Sequence, residues 1–492
     1  MKLGLCAAAG TGLLAALALP ARADGSLEQR MTAVEQQLAA TSTPSAREIQ
    51  SSVDAYLATA KADATLVGGP GSAGYDGGFW LRGGSFLLKT NLTLQTRYEY
   101  FDWNDRPVEP SPGGDLSGFS LPRATVKFSG DATCDVHYYA ELEFGHAGTL
   151  YDNNTNADAS TPNFIGNANP GLQLTGGAAP GIGSINDPAS TRGGDAFGIL
   201  REGWIEYETC PAFTVRMGLV KTATTRQLMT PPEMQQFVDI SMASSFIGLT
   251  MPGYSDRNRD YGLMLHGALG CDGQFQYLAT ITNGDGPVHH NVVDGRTDDP
   301  LAYSARFNWD VKGHMGYEEG ALRQTTCGWV ASVGAWGHYF VDHLVENPLV
   351  KKMDRLTWGL DAAVGYGGFS MTAAYSGVTW DNSDLPGTTF DGFSWLVQVG
   401  YLFPDTAWEI AARYDSQSRE YDVASPYKTF GATEFAFAVN YYIDGHADKL
   451  TLDASFITPD DDGNFLADVY PGYNVTDTSD AMLIRFQWQL AL

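Results

Sequence analysis

The sequence predicts an all-β protein, a transmembrane antiparallel β-barrel of about sixteen strands with a short N-terminal helical arm. Three observations carry that prediction. Apolar residues recur with period two along most of the chain. The connections between these runs alternate short and long. Past the N-terminus, no apolar run is long enough for a spanning helix.

The chain opens with Lys2, an apolar stretch and Ala21-Arg22-Ala23, the pattern of a secretory signal peptide over residues 1–23, with Cys6 inside it. An exported protein inserted in a cell outer membrane is therefore expected. Residues 24–66 follow as a periplasmic helical arm. Leu27, Met31, Val34 and Leu38 make a seam of about two heptads, Pro44 ends it, and Ser45 with Glu48 forms a capping box before Ile49, Val53, Tyr56 and Ala60. Such an arm suits either an amphipathic strap or a coiled coil that helps a trimer form. Residues 67–85, rich in glycine, read as a linker, and 86–492 as the barrel.

Within the barrel, Asn91 to Tyr100 sets the pattern. Leu92, Leu94, Tyr98 and Tyr100 share one parity; Asn91, Thr93, Gln95, Arg97 and Glu99 share the other. The same alternation returns in Phe213-Val215-Met217-Leu219, Tyr303-Ala305-Phe307-Trp309, Phe435-Phe437-Val439-Tyr441 and Met482-Ile484-Phe486-Trp488-Leu490. Short turns such as Cys210–Ala212, Pro404–Thr406 and Gly445–Asp448 alternate with long links at 145–196, 221–260, 284–300 and 459–480. A soluble sandwich does not sort its loops in this way, nor place so many Tyr and Trp on its apolar parity. The apolar face therefore points to lipid and the polar face into a watery lumen. A formal charge of −27 argues against nucleic acid as a partner.

Several strings resemble the phosphate-selective porin O/P family: "VRMGLVKT" from Val215, "MQQFVD" from Met234, "RDYGLMLHGAL" from Arg259, "WLVQVGYLFP" from Trp395, "WEIAARYD" from Trp408 and "NYYIDGHADKLTLDAS" from Asn440. The resemblance implies a trimeric porin of sixteen strands whose third extracellular loop folds into the lumen, and whose selectivity for anions rests on lumenal arginines and lysines. Arg216, Arg306 and Arg413 lie in or beside matching strings. The chain departs from the family at Lys221-Thr222-Ala223, where a Lys-x-Pro is usual, and at Leu492, where outer-membrane strands commonly end in an aromatic.

The residues themselves give a more balanced lining. Inward parity carries Lys89, Arg97, Arg123, Lys127, Arg216, Arg306, Arg355, Arg413 and Arg485 beside Glu99, Asp135, Glu141, Glu143, Glu202, Glu206, Asp361 and Glu409. The third loop holds Lys221, Arg226, Arg257 and Arg259 against Glu233, Asp239, Asp256 and Asp260, with no basic excess at the expected constriction. The expected function is passive diffusion of ions and small hydrophilic solutes through a channel narrowed by that loop, with no cofactor. The alternatives are a phosphate or anion channel and a closed barrel tethering a cell-wall partner. Each inward arginine could equally be a structural ion pair with a carboxylate on the next strand.

An enzymatic reading finds little support, because no histidine stands at a recognisable spacing from a serine and no catalytic residue is assigned. "DNNTNAD" from Asp152 begins like a calcium loop but has Ala157 where the glycine belongs, and "DDDGN" from Asp460 is as incomplete, so no metal site is assigned. Cys134, Cys210, Cys271 and Cys327 each fall by a short turn, and an exported chain invites disulfides. Cys134 with Cys210 is the first expected pairing, since their strands would be neighbours; Cys271 with Cys327 is the second.

Overall fold

The computed structural model describes residues 72–103, 116–144, 199–249, 258–270, 272–284, 301–322, 328–342, 353–381, 389–421, 429–460 and 480–492. The signal peptide and helical arm, the 145–196 link, Arg257, Cys271 and Cys327 lie outside these residues.

Strands β1 (Ser72–Tyr75) and β2 (Phe79–Gly83) form a hairpin. Then follow β3 (Phe86–Trp103), β4 (Leu116–Asp131), β5 (Val136–Glu143), β6 (Ile199–Cys210), β7 (Phe213–Lys221) and β8 (Arg259–Leu269). The second half comprises β9 (Phe275–Thr282), β10 (Ala302–Lys312), β11 (Val330–Asp342), β12 (Met353–Tyr366), β13 (Phe369–Asp381), β14 (Phe390–Leu402), β15 (Trp408–Tyr421), β16 (Thr429–Asp444), β17 (Asp448–Pro459) and β18 (Ala481–Ala491). From β3 onward every strand pairs antiparallel with the next, and β18 returns to β3 from Ala481↔Trp103 to Ala491↔Thr93. The result is a closed barrel of 16 strands. Closure follows from the solvent: in hydrocarbon each unpaired edge amide costs several kcal/mol, on the order of 2–7.

The seam has an extra layer. The second half of β3 holds β18, while its first residues pair with β2, Trp80 opposite Lys89. Between the two, Leu492 exchanges backbone hydrogen bonds with Leu92 at 2.8 and 3.1 Å. Residues 72–83 thus form a paired hairpin inside the stretch expected to be a linker. The bulky apolar run Phe79-Trp80-Leu81 favours that strand, and Gly77 and Gly78 turn the chain with positive φ.

The two faces of the wall are chemically opposite. Along β18, Leu483, Arg485, Gln487 and Gln489 point inward and are buried, whereas Phe486 and Trp488 stand exposed on the outside. Outer side chains meet across strands: Trp358 on Tyr375 (5.8 Å), Trp395 on Tyr414 (5.2 Å) and Tyr414 on Phe435 (6.4 Å between centroids). Near the ends that carry the short turns, Trp329 stacks on Tyr366 (4.6 Å), Trp408 lies against Tyr441 (4.7 Å) and Phe275 stacks on Trp309 (5.8 Å). Those pairs form an aromatic rim of the kind that sits at a membrane interface. Among the described residues no helix is long and apolar enough to cross a membrane.

Leu360 lies mid-way along β12 on the outer face. Leu360→Arg is expected to cost about 2–4 kcal/mol of folding free energy in lipid vesicles, with Leu360→Phe near neutral. Equal urea midpoints for the two variants would contradict a lipid-facing surface.

Candidate functional site: the loop inside the lumen

After β7 the chain does not stay outside the barrel. Thr225 caps a single turn, α1 (Arg226–Met229), its hydroxyl accepting from the Leu228 amide at 3.3 Å. Pro231 and Pro232 then hold the chain extended into a short 3₁₀ turn at Pro232–Met234. Residues 235–240 pass through the lumen in a series of bends, and Ser241 accepts from the Ser244 amide as α2 (Met242–Leu249) begins.

An irregular segment with no sheet partner must satisfy its backbone some other way. Here wall side chains do it. Lys449 donates to the Gln235 carbonyl, Asn440 to that of Gln236 (2.9 Å), and Arg413 to that of Asp239 (3.0 Å). The Gln236 amide donates to Glu319 (2.9 Å) and the Val238 amide to Asp453 (3.0 Å). At the start of α2 the amides of Met242 and Ala243 donate to Glu434 (3.2 Å) and Asp415 (3.0 Å), placing two carboxylates at the positive end of the helix.

Side chains complete the attachment. Asp239 bridges Arg97 (2.9 Å) and Arg485 (3.0 Å), and Arg485 grips Asp453 with two bonds of 2.8 Å. Phe237 packs against Ala411, Ala436 and Ala438, with the Arg413 guanidinium 4.4 Å from its ring centroid. Gln236 donates to Glu409 (2.9 Å), which also accepts from Asn440 (3.0 Å) and Tyr442 (2.6 Å). Glycines on β14 make room: a Cβ at Gly392 would come within 2.7 Å of Phe246, and one at Gly400 would overlap the Gln236 amide.

A second segment enters from the opposite end. The link after β10 turns up into the barrel, where the Glu319 amide donates to the Met234 carbonyl (3.0 Å) and the Glu319 carboxylate accepts from Gln398 (3.0 Å). Tyr317 accepts from Arg306 (2.8 Å) and Asn308 (2.6 Å), and Arg226 reaches the Gly316 carbonyl.

Among the described residues, most of the expected charges are in definite contacts; Arg257 lies outside those residues. Arg97 pairs with Glu99 (2.9 Å) and Asp239; Lys127 with Glu233; Arg216 with Glu206 (2.7 Å), lying 3.7 Å over the Trp204 ring. Arg306 forms a fork on Asp361 with bonds of 2.7 and 2.8 Å, and Arg413 on Glu434 at 3.1 and 3.2 Å. Glu141 holds Arg201 (2.9 Å) and Glu202 holds Arg259 (3.1 Å). Lys221 donates to the Met229 carbonyl (3.1 Å). Burial alone would raise the Glu233 carboxyl, but the neighbouring Lys127 ammonium outweighs it and holds the group below its ordinary range. Asp135, expected inward, sits exposed in the turn before β5.

The expected Cys134–Cys210 disulfide is absent: both are free thiols. Val136 pairs with Tyr207, and the Glu208 amide donates to the Asp135 carbonyl. Cys134 lies in the bend before β5, outside its pairing with β6, and Cys210 ends β6 past an irregularity at Glu208/Cys210, so the two are not cross-strand partners.

What sequence reading missed is the segment 313–322. The link between Lys312 and Val330 is far longer than the other short-end turns, and it carries Tyr317, Glu318 and Glu319. Its length was the available signal. The Gln227–Gln398–Gln236 chain, with bonds of 3.0 Å at each step, had none, because amides carry no charge pattern to follow.

No protein-family model and no curated protein matches the chain. Among solved structures, the fold is similar to the anion-selective porin from Comamonas acidovorans, with a TM-score of 0.50, 10% identity, and coverage of 83% of this chain and 100% of that one. It is also similar to OmpT, an outer membrane protein of Vibrio cholerae in trimer form (0.48, 11%, 82% and 99%), and to the outer membrane channel DcaP of Acinetobacter baumannii (0.44, 12%, 82% and 98%). At these identities the likeness is one of fold.

Two predictions follow from this geometry. Gly400→Val displaces Gln236 from Glu409 and should loosen residues 235–240, read as faster proteolysis of that segment in the folded barrel; unchanged cleavage would show that the Gln236 contacts do not hold it. In a Cys271→Ser, Cys327→Ser background, Cys134 and Cys210 should both alkylate without reductant, whereas protection of the pair until reductant is added would restore the disulfide.

Proposed function

We propose that the protein is an outer-membrane porin, a water-filled channel through which ions and small hydrophilic solutes diffuse passively. The observation that carries this reading is residues 222–249 folded into the lumen of a closed barrel. The loop attaches to β3, β4, β10 and β14–β18, narrowing a passage whose inner face is polar and whose outer face is apolar. No chemistry is required of it: diffusion past the wall's positioned charges needs no cofactor. Residues 1–23 are assigned to export, the arm at 24–66 to supporting assembly, and the assembly to a homotrimer in the outer membrane.

The phosphate-selective reading needs arginines open to solute. Arg97, Arg306, Arg413 and Arg485 are instead each held by a carboxylate, which favours a general channel. A closed tethering barrel would share the strands but conduct nothing. In planar bilayers the purified protein is expected to give stepwise currents that scale with KCl concentration and persist when phosphate is added. Absence of steps would leave the tether; block of chloride current by low phosphate would leave the anion channel.

A further inference from the structure

We infer that solute passes along one side of the lumen, the wall of β5–β8, and that the carboxylates there and on the facing loop give the channel a preference for cations. This rests on the channel reading above.

The two sides of the lumen differ in what they show to water. On the side covered by the inner loop, the side chains of Arg306, Arg413 and Arg485 are 0%, 1% and 3% exposed. Their partners Asp361, Glu434 and Asp453 are covered as deeply, so these pairs are neutralised inside packed protein. The basic residues that would draw anions are sealed behind the loop.

On the other side, β6 reads Glu202-x-Trp204-x-Glu206-x-Glu208. Alternate residues share a face, so three carboxylates and one indole form a ladder rising from the short-turn end. Side-chain exposure is 13% at Glu202, 11% at Glu206 and 40% at Glu208. The loop and β3 add Asp239, Glu233 and Glu99 to the lumen, each exposed to a similar degree. Among the described residues the half-buried cations around this passage are Lys127, paired with Glu233, Arg216, paired with Glu206 while lying flat on Trp204, Lys221, which donates to the Met229 carbonyl, and Lys89 near the start of β3, four against the six carboxylates. His266 sits 2.7 Å from Glu206, and His137 lies 3.7 Å from Glu208 and 2.7 Å from Asp131. Arg259, the partner of Glu202, is nearly covered.

The accessible excess is therefore acidic. Carboxylates lining a narrow wet passage with low-dielectric walls concentrate cations within it. The resulting preference is set by which charges the loop leaves uncovered, not by the total over the inner wall.

The experiment has two readouts on refolded protein in planar bilayers, with heat-modifiable gel mobility confirming that each barrel is folded. In a KCl gradient the unaltered protein should show a cation-leaning reversal potential, and Glu202→Gln, Glu208→Gln together should lower the potassium-to-chloride permeability ratio by about twofold. For the route, single cysteines replace Glu208 or Ser455, the latter buried on β17, in a chain whose four barrel cysteines are serine. A positively charged methanethiosulfonate should reduce current through Glu208→Cys and leave Ser455→Cys unchanged. An anion-leaning potential, a ratio unmoved by the double substitution, or modification at Ser455→Cys would overturn the inference while the channel stands. Absence of conductance in every protein would sink the channel reading and this inference with it.

Discussion

The inner face of this barrel depends on one constraint: the backbone of residues 235–243 must find hydrogen-bond partners where there is no sheet to supply them. Lys449, Asn440, Arg413, Asp453, Glu434, Asp415 and Glu319 are those partners. The dependence runs both ways. With the loop withdrawn, Arg97 and Arg485 lose Asp239, and the loop's own amides and carbonyls lose the wall. Each wall pair by itself is an ordinary cross-strand ion pair. The loop converts a row of them into a continuous network, and removing one member of a buried pair typically costs about 3–5 kcal/mol.

That coupling explains why charge counting gave a balanced lumen and yet said little about solute. The inward arginines and acids are nearly matched because they are matched to each other, strand to strand. What an ion meets is the remainder after the loop and the 313–322 segment have covered their share. On β15–β18 that remainder is close to nothing; on β6 it is a ladder of carboxylates. Selectivity in such a channel belongs to packing as much as to composition.

The barrel is legible because its two solvents impose period two on the strands, and β18 shows it without interruption from Ile484 to Leu490. The loop after β7 is legible as a loop holding Arg226, Glu233 and Asp239, whereas Lys221 closes β7 instead. Their partners were not readable, since Asp239 meets Arg97 and Arg485 from strands far away in sequence, and periodicity says nothing about which inward residues a loop will cover. The pairing of Cys134 with Cys210 goes astray for a related reason: β5 and β6 are neighbours, but Cys134 sits in the bend outside the paired residues and Cys210 lies past an irregularity in β6. The hairpin at 72–83 was hidden by glycines that looked like a linker and proved to be its turn.

The meeting of the two inward segments, Glu319 on Met234, has a mechanical side. A thin cylindrical wall resists stretching along its hydrogen bonds but ovalises easily under sideways load. Tied from β4 through Glu233, across to β15 and β17, and from β10 through Tyr317 to the same loop, this cylinder carries an internal cross-brace. Lateral pressure from the membrane is then borne by a strut as well as by the shell, so the width of the passage is insulated from the lipid that surrounds it.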